Sequence, residues 1–369
     1  MIGDIMTEIK LDLWSYLAST YKPIVMYGMG NGADKIIAVC EKKGIEIADF
    51  FASDGFVRGH AFHGKTVLSY SAVKEKYGEG NFIVLLSFAS SLPDVIANIE
   101  RIAAESELYA PDVPVSGDNL FDMDFYVSHK TEFDRAREFL ADERSRLVFD
   151  NVIKYKLTGK IHYLAECESE VDETYKDILH AGAFEYTADL GAYNGDTARQ
   201  LSEYSPALKE IYAFEPDRRN YRKLSEYAER EERFKVIPCN LAAWNKSETL
   251  TFGAEGNRNS GVGQTLVNGK TAKLTEVMAD SLDNVVSERG ADRIDYIKFD
   301  VEGAEKEALE GCYETIERFS PALLISVYHR SDDLFALPLQ LAERFPEYKL
   351  YLRKFRYIPA WDLNLYAVK

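Results

Sequence analysis

Residues 186–197 read Tyr-Thr-Ala-Asp-Leu-Gly-Ala-Tyr-Asn-Gly-Asp-Thr, and this stretch decides the fold. An apolar, strand-like run ends in a carboxylate, and the glycines that follow let a ligand approach the backbone. Residues 211–217 (Ile-Tyr-Ala-Phe-Glu-Pro-Asp) and 296–305 (Tyr-Ile-Lys-Phe-Asp-Val-Glu-Gly-Ala-Glu) repeat the pattern. Such strand ends face one crevice in an open α/β sheet, so the three runs predict a site for a nucleotide-like cofactor.

Strands and helices alternate from residue 183 onward, which is the doubly wound α/β pattern. The predicted strands lie near residues 186–191, 210–215, 234–240, 295–300 and 322–329. Two more strands, at 348–353 and 364–368, are joined by a loop too short for a helical crossover, so they should pair antiparallel. A parallel sheet that ends in an antiparallel hairpin is typical of methyltransferases rather than of dinucleotide dehydrogenases.

The first half opens another strand–turn–helix unit. Residues 24–32 read Ile-Val-Met-Tyr-Gly-Met-Gly-Asn-Gly, and an apolar-periodic run follows over 33–43. Strands are predicted at 45–52 and 82–87, and a helix at 93–104. The fold class is therefore α/β with two Rossmann-like domains. The glycines could hold a phosphate on free backbone N–H groups, or they could only permit tight packing of strand and helix.

The expected domains are residues 1–117, a helical connector over 118–180, and residues 181–369. Helical periodicity in the connector covers residues 131–156, with an apolar stripe that includes Phe133, Phe139 and Leu147.

The composition and net charge of the chain indicate which kinds of binding partner to expect. The chain of 369 residues is 46% hydrophobic and carries a formal net charge of −17. This charge argues against nucleic acid and anionic membranes as partners and favours neutral or cationic small ligands, and we expect a small-molecule acceptor. The four cysteines show no C-x-x-C spacing, so neither a zinc site nor a disulfide framework is indicated. No basic leader or membrane-length apolar run is visible, so we expect a cytoplasmic protein without membrane insertion. The sequence leaves open whether the chain forms a homo-oligomer.

Taken together, the motifs of residues 185–369 resemble the FkbM family of S-adenosylmethionine-dependent methyltransferases. The matching segments are 189–192 with Gly195 and Thr197, 214–216, 281–283, and 297–305 followed by Leu309 and Gly311. Tyr193 departs from the widespread D-x-G-x-G-x-G motif, because it stands where the middle glycine would be. The resemblance implies S-adenosylmethionine as the cofactor and methyl transfer as the reaction.

The cofactor site can be predicted residue by residue. Glu215 ends the second strand, where a carboxylate can accept hydrogen bonds from both ribose hydroxyls. Asp189 and the glycine loop would hold the methionine portion, and Asn240 would touch adenine or serve only as a turn residue. The predicted cofactor-binding residues are Asp189, Gly191, Ala192, Tyr193, Asn194, Gly195, Asp196, Thr197, Glu215, Pro216, Asn240, Leu241 and Asp300.

A hydroxyl acceptor needs a base, because its proton must leave as the new bond forms. Asp300, Glu302 and His329 are the candidate catalytic residues at adjacent strand ends. They also have structural alternatives: Glu302 and Glu305 could bond helix-start N–H groups, and His329 could be a satisfied core histidine. A metal held by Asp300, Glu302 and His329 would lack a second histidine and a tight spacing, so no metal is predicted.

Residues 23–105 resemble the small Rossmann-like domain of PglD-type sugar acyltransferases. The likeness rests on the turn at 27–32, on Asp54 and on Gly-Lys-Thr-Val-Leu at 64–68. It implies nucleotide-sugar contacts at Gly28, Gly30, Asn31, Gly32 and Asp54. The relatives' catalytic role does not transfer, because Asn31 occupies the position of their functional residue.

These observations favour an O-methyltransferase that acts on a sugar or another hydroxylated metabolite. The acceptor could be a free sugar, a nucleotide sugar or a glycan intermediate. Two alternatives remain at this stage. One is an NAD(P)-dependent oxidoreductase that uses Asp54 in the first domain as its ribose-binding acid. The other is a non-catalytic nucleotide-binding or regulatory protein with a transferase fold.

Overall fold

The computed structural model describes residues 5–53, 55, 57, 59–253, 261–262 and 274–369. Up to residue 109 its helices and strands are α1 (Ile5–Glu8), α2 (Leu13–Ser19), β1 (Ile24–Tyr27), α3 (Asn31–Lys42), β2 (Asp49–Ala52), β3 (Ala61–Phe62), β4 (Lys65–Thr66), β5 (Leu68–Ser69), α4 (Tyr70–Tyr77), β6 (Ile83–Leu86), α5 (Pro93–Glu105) and β7 (Glu107–Tyr109).

Five of these strands form a parallel sheet in the order β5-β2-β1-β6-β7. Met26 in the central strand lies opposite Phe50 on one side and Leu85 on the other. Every residue of β1 and β6 is buried, as expected for parallel strands that are covered on both faces. This confirms the Rossmann-like sheet predicted for the first half, although β2 begins at Asp49 rather than at residue 45.

The connector is helical but interrupted. Its helices are α6 (Met123–Ser128), α7 (Lys130–Glu138), α8 (Glu143–Thr158), α9 (His162–Ala165) and α10 (Val171–Glu173). Helix α8 starts afresh because the Asp142 carboxylate accepts the Ser145 N–H at 2.7 Å. The predicted stripe was wrong for Phe139 and Leu147, which are 44% and 42% exposed. Because the chain breaks between α7 and α8, the apolar residues of the two helices do not form one continuous stripe.

The remaining elements are β8 (Tyr186–Leu190), α11 (Asp196–Tyr204), β9 (Glu210–Phe214), α12 (Arg218–Ala228), β10 (Lys235–Cys239), β11 (Ala242–Ala243), β12 (Glu248–Gly253), β13 (Gly261–Val262), β14 (Leu274–Asp280), α13 (Leu282–Glu288), β15 (Tyr296–Phe299), α14 (Glu305–Glu310), α15 (Tyr313–Phe319), β16 (Ala322–Ser326), α16 (Asp333–Arg344), β17 (Lys349–Lys354) and β18 (Leu363–Val368). A short π-helical turn (174–178) and a 3₁₀ turn (181–183) precede β8.

The second large sheet has seven strands in the order β10-β9-β8-β15-β16-β18-β17. The first five are parallel, and Leu190 lies opposite Phe214 and Phe299. Strand β18 pairs antiparallel with both β16 and β17. The structure therefore confirms the doubly wound sheet and the terminal antiparallel hairpin. A smaller sheet, β11-β14-β12-β13, lies beside it.

The two halves share a hydrophobic core, since one cluster of buried side chains includes Tyr27, Phe149 and Ile297. The segment after β7 reaches the carboxyl ends of the second sheet, where the Ser116 N–H donates to the His329 carbonyl at 2.9 Å. The segment that follows β7 therefore lies next to the carboxyl ends of the second sheet's strands. Among the described residues, none of the helices combines the length and the apolar character needed to cross a membrane.

Candidate active site

A cleft opens at the carboxyl ends of β8, β9, β15 and β16. Seven of the predicted cofactor residues line it: Gly191, Tyr193, Asp196, Thr197, Glu215, Pro216 and Asp300. Glu302, from the catalytic set, lines the cleft as well. The arrangement follows from the topology, because parallel strands deliver their carboxyl ends to one edge of the sheet.

The glycine loop after β8 is packed tightly. Gly191 has a φ of +95°, and a Cβ atom there would lie 1.9 Å from the Asp300 carbonyl oxygen. Gly195 has a φ of +83°, and its Cβ would lie 2.4 Å from the Tyr227 ring. A side chain at either position would therefore clash, and glycine is what lets the loop cross the end of β15 and enter helix α11.

Glu215 is held in place at the end of β9. Its Oε1 accepts the Asp217 N–H at 2.8 Å, and Asp217 in turn caps helix α12. Burial raises the pKa of the Glu215 carboxyl to about 8. The Asn240 amide donates to the Glu215 and Pro216 carbonyls at 2.8 and 3.2 Å. The side chain of Asn240 thus fixes the loop that carries Glu215.

After β10, the residues that line the cleft lie slightly further along the chain than predicted. Neither Asn240 nor Leu241 is among the lining residues; Ala242 and Ala243 line the cleft instead. Two small side chains therefore line the cleft beside Glu215.

Asp189 lies one layer behind the cleft and is 1% exposed. Burial raises the pKa of Asp189 to about 6, against the opposing effect of Lys298, whose Nζ lies 3.9 Å from Oδ1. The same Nζ lies 3.1 Å from Asp300 Oδ2. Burial alone would raise the pKa of Asp300, but Lys298 and His329 lower it below its ordinary value. Lys298 therefore links two of the predicted carboxylates, a role that the sequence analysis missed.

His329 is fully buried and does not line the cleft. Its Nε2 lies 3.6 Å from Asp300 Oδ1 and 3.7 Å from Glu302 Oε2. Its Nδ1 lies 2.8 Å from Glu305 Oε1. Burial alone would lower the pKa of His329, but Glu305 and Glu302 raise it to about 10. The structure thus brings together all three predicted catalytic residues, with His329 behind the other two.

An aromatic wall closes the cleft on the side of the terminal hairpin. Tyr328, Tyr357 and Trp361 line the cleft, and the Trp361 ring centroid lies 6.2 Å from Tyr328 and 5.7 Å from Tyr357. The loop between β17 and β18 brings two of these rings to the site. Sequence analysis missed them, although aromatic residues concentrated in a short strand-connecting loop were a visible signal.

The glycines of the first half stand in different surroundings. A Cβ on Gly28 would lie 2.6 Å from the Phe88 ring, and one on Gly32 would lie 2.2 Å from the Ser87 carbonyl oxygen, so both glycines are needed for packing. Gly30, with a φ of +103°, has nothing within 4 Å of a Cβ, and Asn31 begins helix α3. Gly28 also borders a second cavity, whose lining includes four aromatic side chains: Tyr27, Phe51, Tyr70 and Phe88. Asp54 lies outside the described residues.

The sheet order and the acidic cleft define the methyltransferase class of α/β fold. Residues 189–359 match the model of the methyltransferase FkbM domain. The crystal structure of methyltransferase FkbM from Methylobacillus flagellatus KT matches with 20% identity and a TM-score of 0.68, covering 94% of this chain and 90% of that chain. That similarity shows a shared fold over both halves.

Other solved structures overlap less. An rRNA methylase from Streptococcus thermophilus matches with 13% identity and a TM-score of 0.34, over 55% of this chain and 97% of that one. Aeropyrum pernix fibrillarin with bound S-adenosyl-L-methionine matches with 13% identity and a TM-score of 0.32, over 51% and 68%. Because both TM-scores are low, these two similarities carry no conclusion about this chain. No curated protein matched the sequence. None of these comparisons tests the resemblance of residues 23–105 to PglD-type domains, which stays a prediction.

Proposed function

We propose that the chain uses S-adenosylmethionine to methylate a hydroxyl group of a sugar or another hydroxylated metabolite. The observation that carries this proposal is the Glu215 carboxylate, buried and held by the Asp217 N–H at the end of β9. The adenosyl ribose presents two vicinal hydroxyls, and a fixed carboxylate can accept hydrogen bonds from both.

The methionine and adenine portions of the cofactor would lie on either side of the ribose in the same cleft. The backbone from Gly191 to Gly195 and the start of helix α11 would receive the methionine portion, and Ala242 and Ala243 leave space for adenine. The sulfonium carries a positive charge. Asp300 and the rings of Tyr328 and Trp361 offer negative charge and aromatic faces, both of which favour a cation.

Methyl transfer to a hydroxyl is an in-line displacement. A lone pair on the acceptor oxygen forms the C–O bond, the electron pair of the broken C–S bond stays on sulfur, and the hydroxyl proton leaves to a base. Because Asp300 and Glu302 line the cleft while His329 lies behind them, the two carboxylates have the better access to that proton. His329 then acts as a positioning residue for both. The protein's further contribution is to align the acceptor and exclude water.

The first half supports the acceptor side of the cleft. Val115 lines the cleft, and the Lys35 ammonium donates to the Val115 carbonyl at 2.8 Å. Lys35 lies in the first part of helix α3, directly after the glycine turn. An acceptor in the cleft would therefore meet Val115 of the first half as well as residues of the second sheet.

The proposal is tested by incubating the purified chain with methyl-labelled S-adenosylmethionine and a panel of sugars, nucleotide sugars and glycan intermediates. Mass spectrometry of the product is expected to show one added methyl group on oxygen. In parallel, S-adenosylhomocysteine at 100 times its Kd should add about 2.7 kcal/mol of stability in thermal unfolding. Stabilisation by NAD or NADP alone would instead favour the oxidoreductase alternative.

A further inference from the structure

Four side chains around the end of β16 form what we call the acid–histidine cluster: Asp300, Glu302, Glu305 and His329. Single ligand atoms of Asp300, Glu305 and His329 lie within 4.8 Å of one another. Glu302 approaches from the cleft, with Oε2 3.7 Å from His329 Nε2. The cluster therefore places three carboxylates around one imidazole.

The two ring nitrogens of His329 face different groups. Glu305, which is 1% exposed, lies 2.8 Å from Nδ1 through Oε1, and the same oxygen accepts the Val301 N–H at 2.9 Å. Glu305 is thereby fixed behind the ring. A carboxylate that holds one imidazole nitrogen is the usual means by which proteins aim the other nitrogen at a metal ion.

The other nitrogen, Nε2, is aimed at the cleft-side carboxylates. Both ring nitrogens are buried and make no hydrogen bond of good geometry among the described residues, but Nε2 lies farther from its nearest carboxylate oxygen than Nδ1 does. Buried polar atoms are nearly always satisfied, so an orphaned nitrogen that faces two carboxylate oxygens calls for a missing partner. The distances of 3.6 Å to Asp300 Oδ1 and 3.7 Å to Glu302 Oε2 suit atoms that share a cation with bonds of about 2.2 Å.

We propose that the acid–histidine cluster binds a divalent transition-metal cation through Asp300 Oδ1, Glu302 Oε2 and His329 Nε2, with Glu305 orienting the imidazole. Imidazole suits Zn²⁺ and related ions, and carboxylates suit Mn²⁺, so this mixed set favours Mn²⁺ or Zn²⁺ over Ca²⁺. Lys298 contacts the other Asp300 oxygen, Oδ2, whereas Oδ1 accepts a long hydrogen bond of 3.4 Å from the Tyr328 hydroxyl and keeps a lone pair for the cation.

The consequence for catalysis rests on the proposed function. Asp300 and Glu302 line the cleft, so a cation that they held would lie within reach of an acceptor hydroxyl. Such a hydroxyl would lose its proton more readily, to the Glu302 oxygen that does not hold the cation, and would be kept in line with the methyl group. The cation would therefore select acceptors by their hydroxyl groups.

The test uses the full chain after treatment with a chelator. Titration calorimetry with Mn²⁺ and with Zn²⁺, supported by the electron paramagnetic resonance of bound Mn²⁺, is expected to show one cation per chain. Glu305→Gln should weaken binding by about 10- to 100-fold, the usual effect of losing an orienting carboxylate. Glu302→Gln removes a ligand at the edge of the cleft and should weaken binding at least as much. Glu307→Gln, on the same helix but outside the cluster, is the matched control.

If the buried variant Glu305→Gln fails to fold, Glu302→Gln still tests the proposal. Glu302 lines the cleft, so its substitution should disturb folding less. Absence of Mn²⁺ and Zn²⁺ binding, or equal affinity in wild type and Glu302→Gln, would overturn the proposal and leave the cluster as a charged histidine neutralised by carboxylates. Binding of S-adenosylhomocysteine to the chelated chain is measured separately. Its retention without cation binding overturns only the metal site, and its loss in every form overturns the proposed function.

Discussion

Each of the two large sheets contains a strand that leads through a glycine turn into a helix, but the surroundings of the two turns differ. The turn lies at Gly28–Gly32 in one sheet and at Gly191–Gly195 in the other. The strands beside the first turn end in Tyr27, Ala52 and Leu86, and the first two of these residues line a cavity with several aromatic side chains. The corresponding ends of the second sheet carry Asp189, Glu215 and Asp300.

The difference teaches that a glycine turn alone does not define a ligand site. Gly28 and Gly32 are explained by close packing against Phe88 and Ser87. Gly191 is packed just as tightly, yet its turn stands among buried carboxylates whose pKa values burial has raised. Charged groups held at low exposure are costly unless they serve a purpose, so they are the more informative signal.

The largest effect is expected from Gly191→Ala. The added Cβ would lie 1.9 Å from the Asp300 carbonyl, at a φ that disfavours alanine, so binding of S-adenosylhomocysteine should be lost. Calorimetry and urea unfolding measure binding and stability. Gly44→Ala in the first half also has a positive φ, +70°, but meets no neighbour within 4 Å, so it should cost only about 1 kcal/mol and leave binding intact. Equal binding by both variants would contradict the role given to the second turn.

Asp300→Asn should lower turnover by about 10²–10⁴-fold, because the proposed mechanism places this carboxylate beside the transferring methyl and the acceptor proton. Steady-state kinetics with the identified acceptor gives the measurement. Asp94→Asn changes an exposed acid beside the first sheet's cavity and should leave turnover within about twofold, as a surface change usually does. If the two variants lose activity alike, the two cavities are not functionally distinct.

The smallest effect concerns pH. Burial raises the pKa of Glu215 to about 8, with Asp217 and Asp189 nearby, so the carboxyl is mostly neutral below that pH. Since the carboxylate is the better acceptor for ribose hydroxyls, affinity for S-adenosylhomocysteine should rise as pH increases toward 8, by at most about tenfold per pH unit. Calorimetry from pH 6 to 9 checks this, and Glu215→Gln should flatten the profile. A wild-type profile as flat as that of the variant would rule the explanation out.

Much of the second sheet was predictable from the sequence. Apolar runs bounded by carboxylates and glycines placed β8, β9 and β15 within about one residue of their observed bounds. Local periodicity carries that information. It could not show that the connector helix breaks before Asp142, because a cap can restart a helix inside a continuous pattern.

The candidate site was predictable only at its strand ends. Lys298 looked like an ordinary strand residue, and its contacts with Asp189 and Asp300 depend on the pairing of β8 with β15. The aromatic wall depends on how the terminal hairpin folds back. The sequence left open whether Glu305 bonds a helix-start N–H; it accepts the Val301 N–H instead, and its position beside His329 depends on the tertiary fold.

The central claim is that Glu215 holds the ribose of the adenosyl cofactor, and titration of S-adenosylhomocysteine into Glu215→Ala tests it most directly. At pH 9, where the Glu215 carboxyl is mostly ionised, the affinity should fall by about 1.5–3 kcal/mol, or roughly 10- to 150-fold, the range for a charged hydrogen bond. Glu210→Ala changes an acid at the opposite end of the same strand and should bind like the wild type. Unchanged affinity in a folded Glu215→Ala chain would contradict the account.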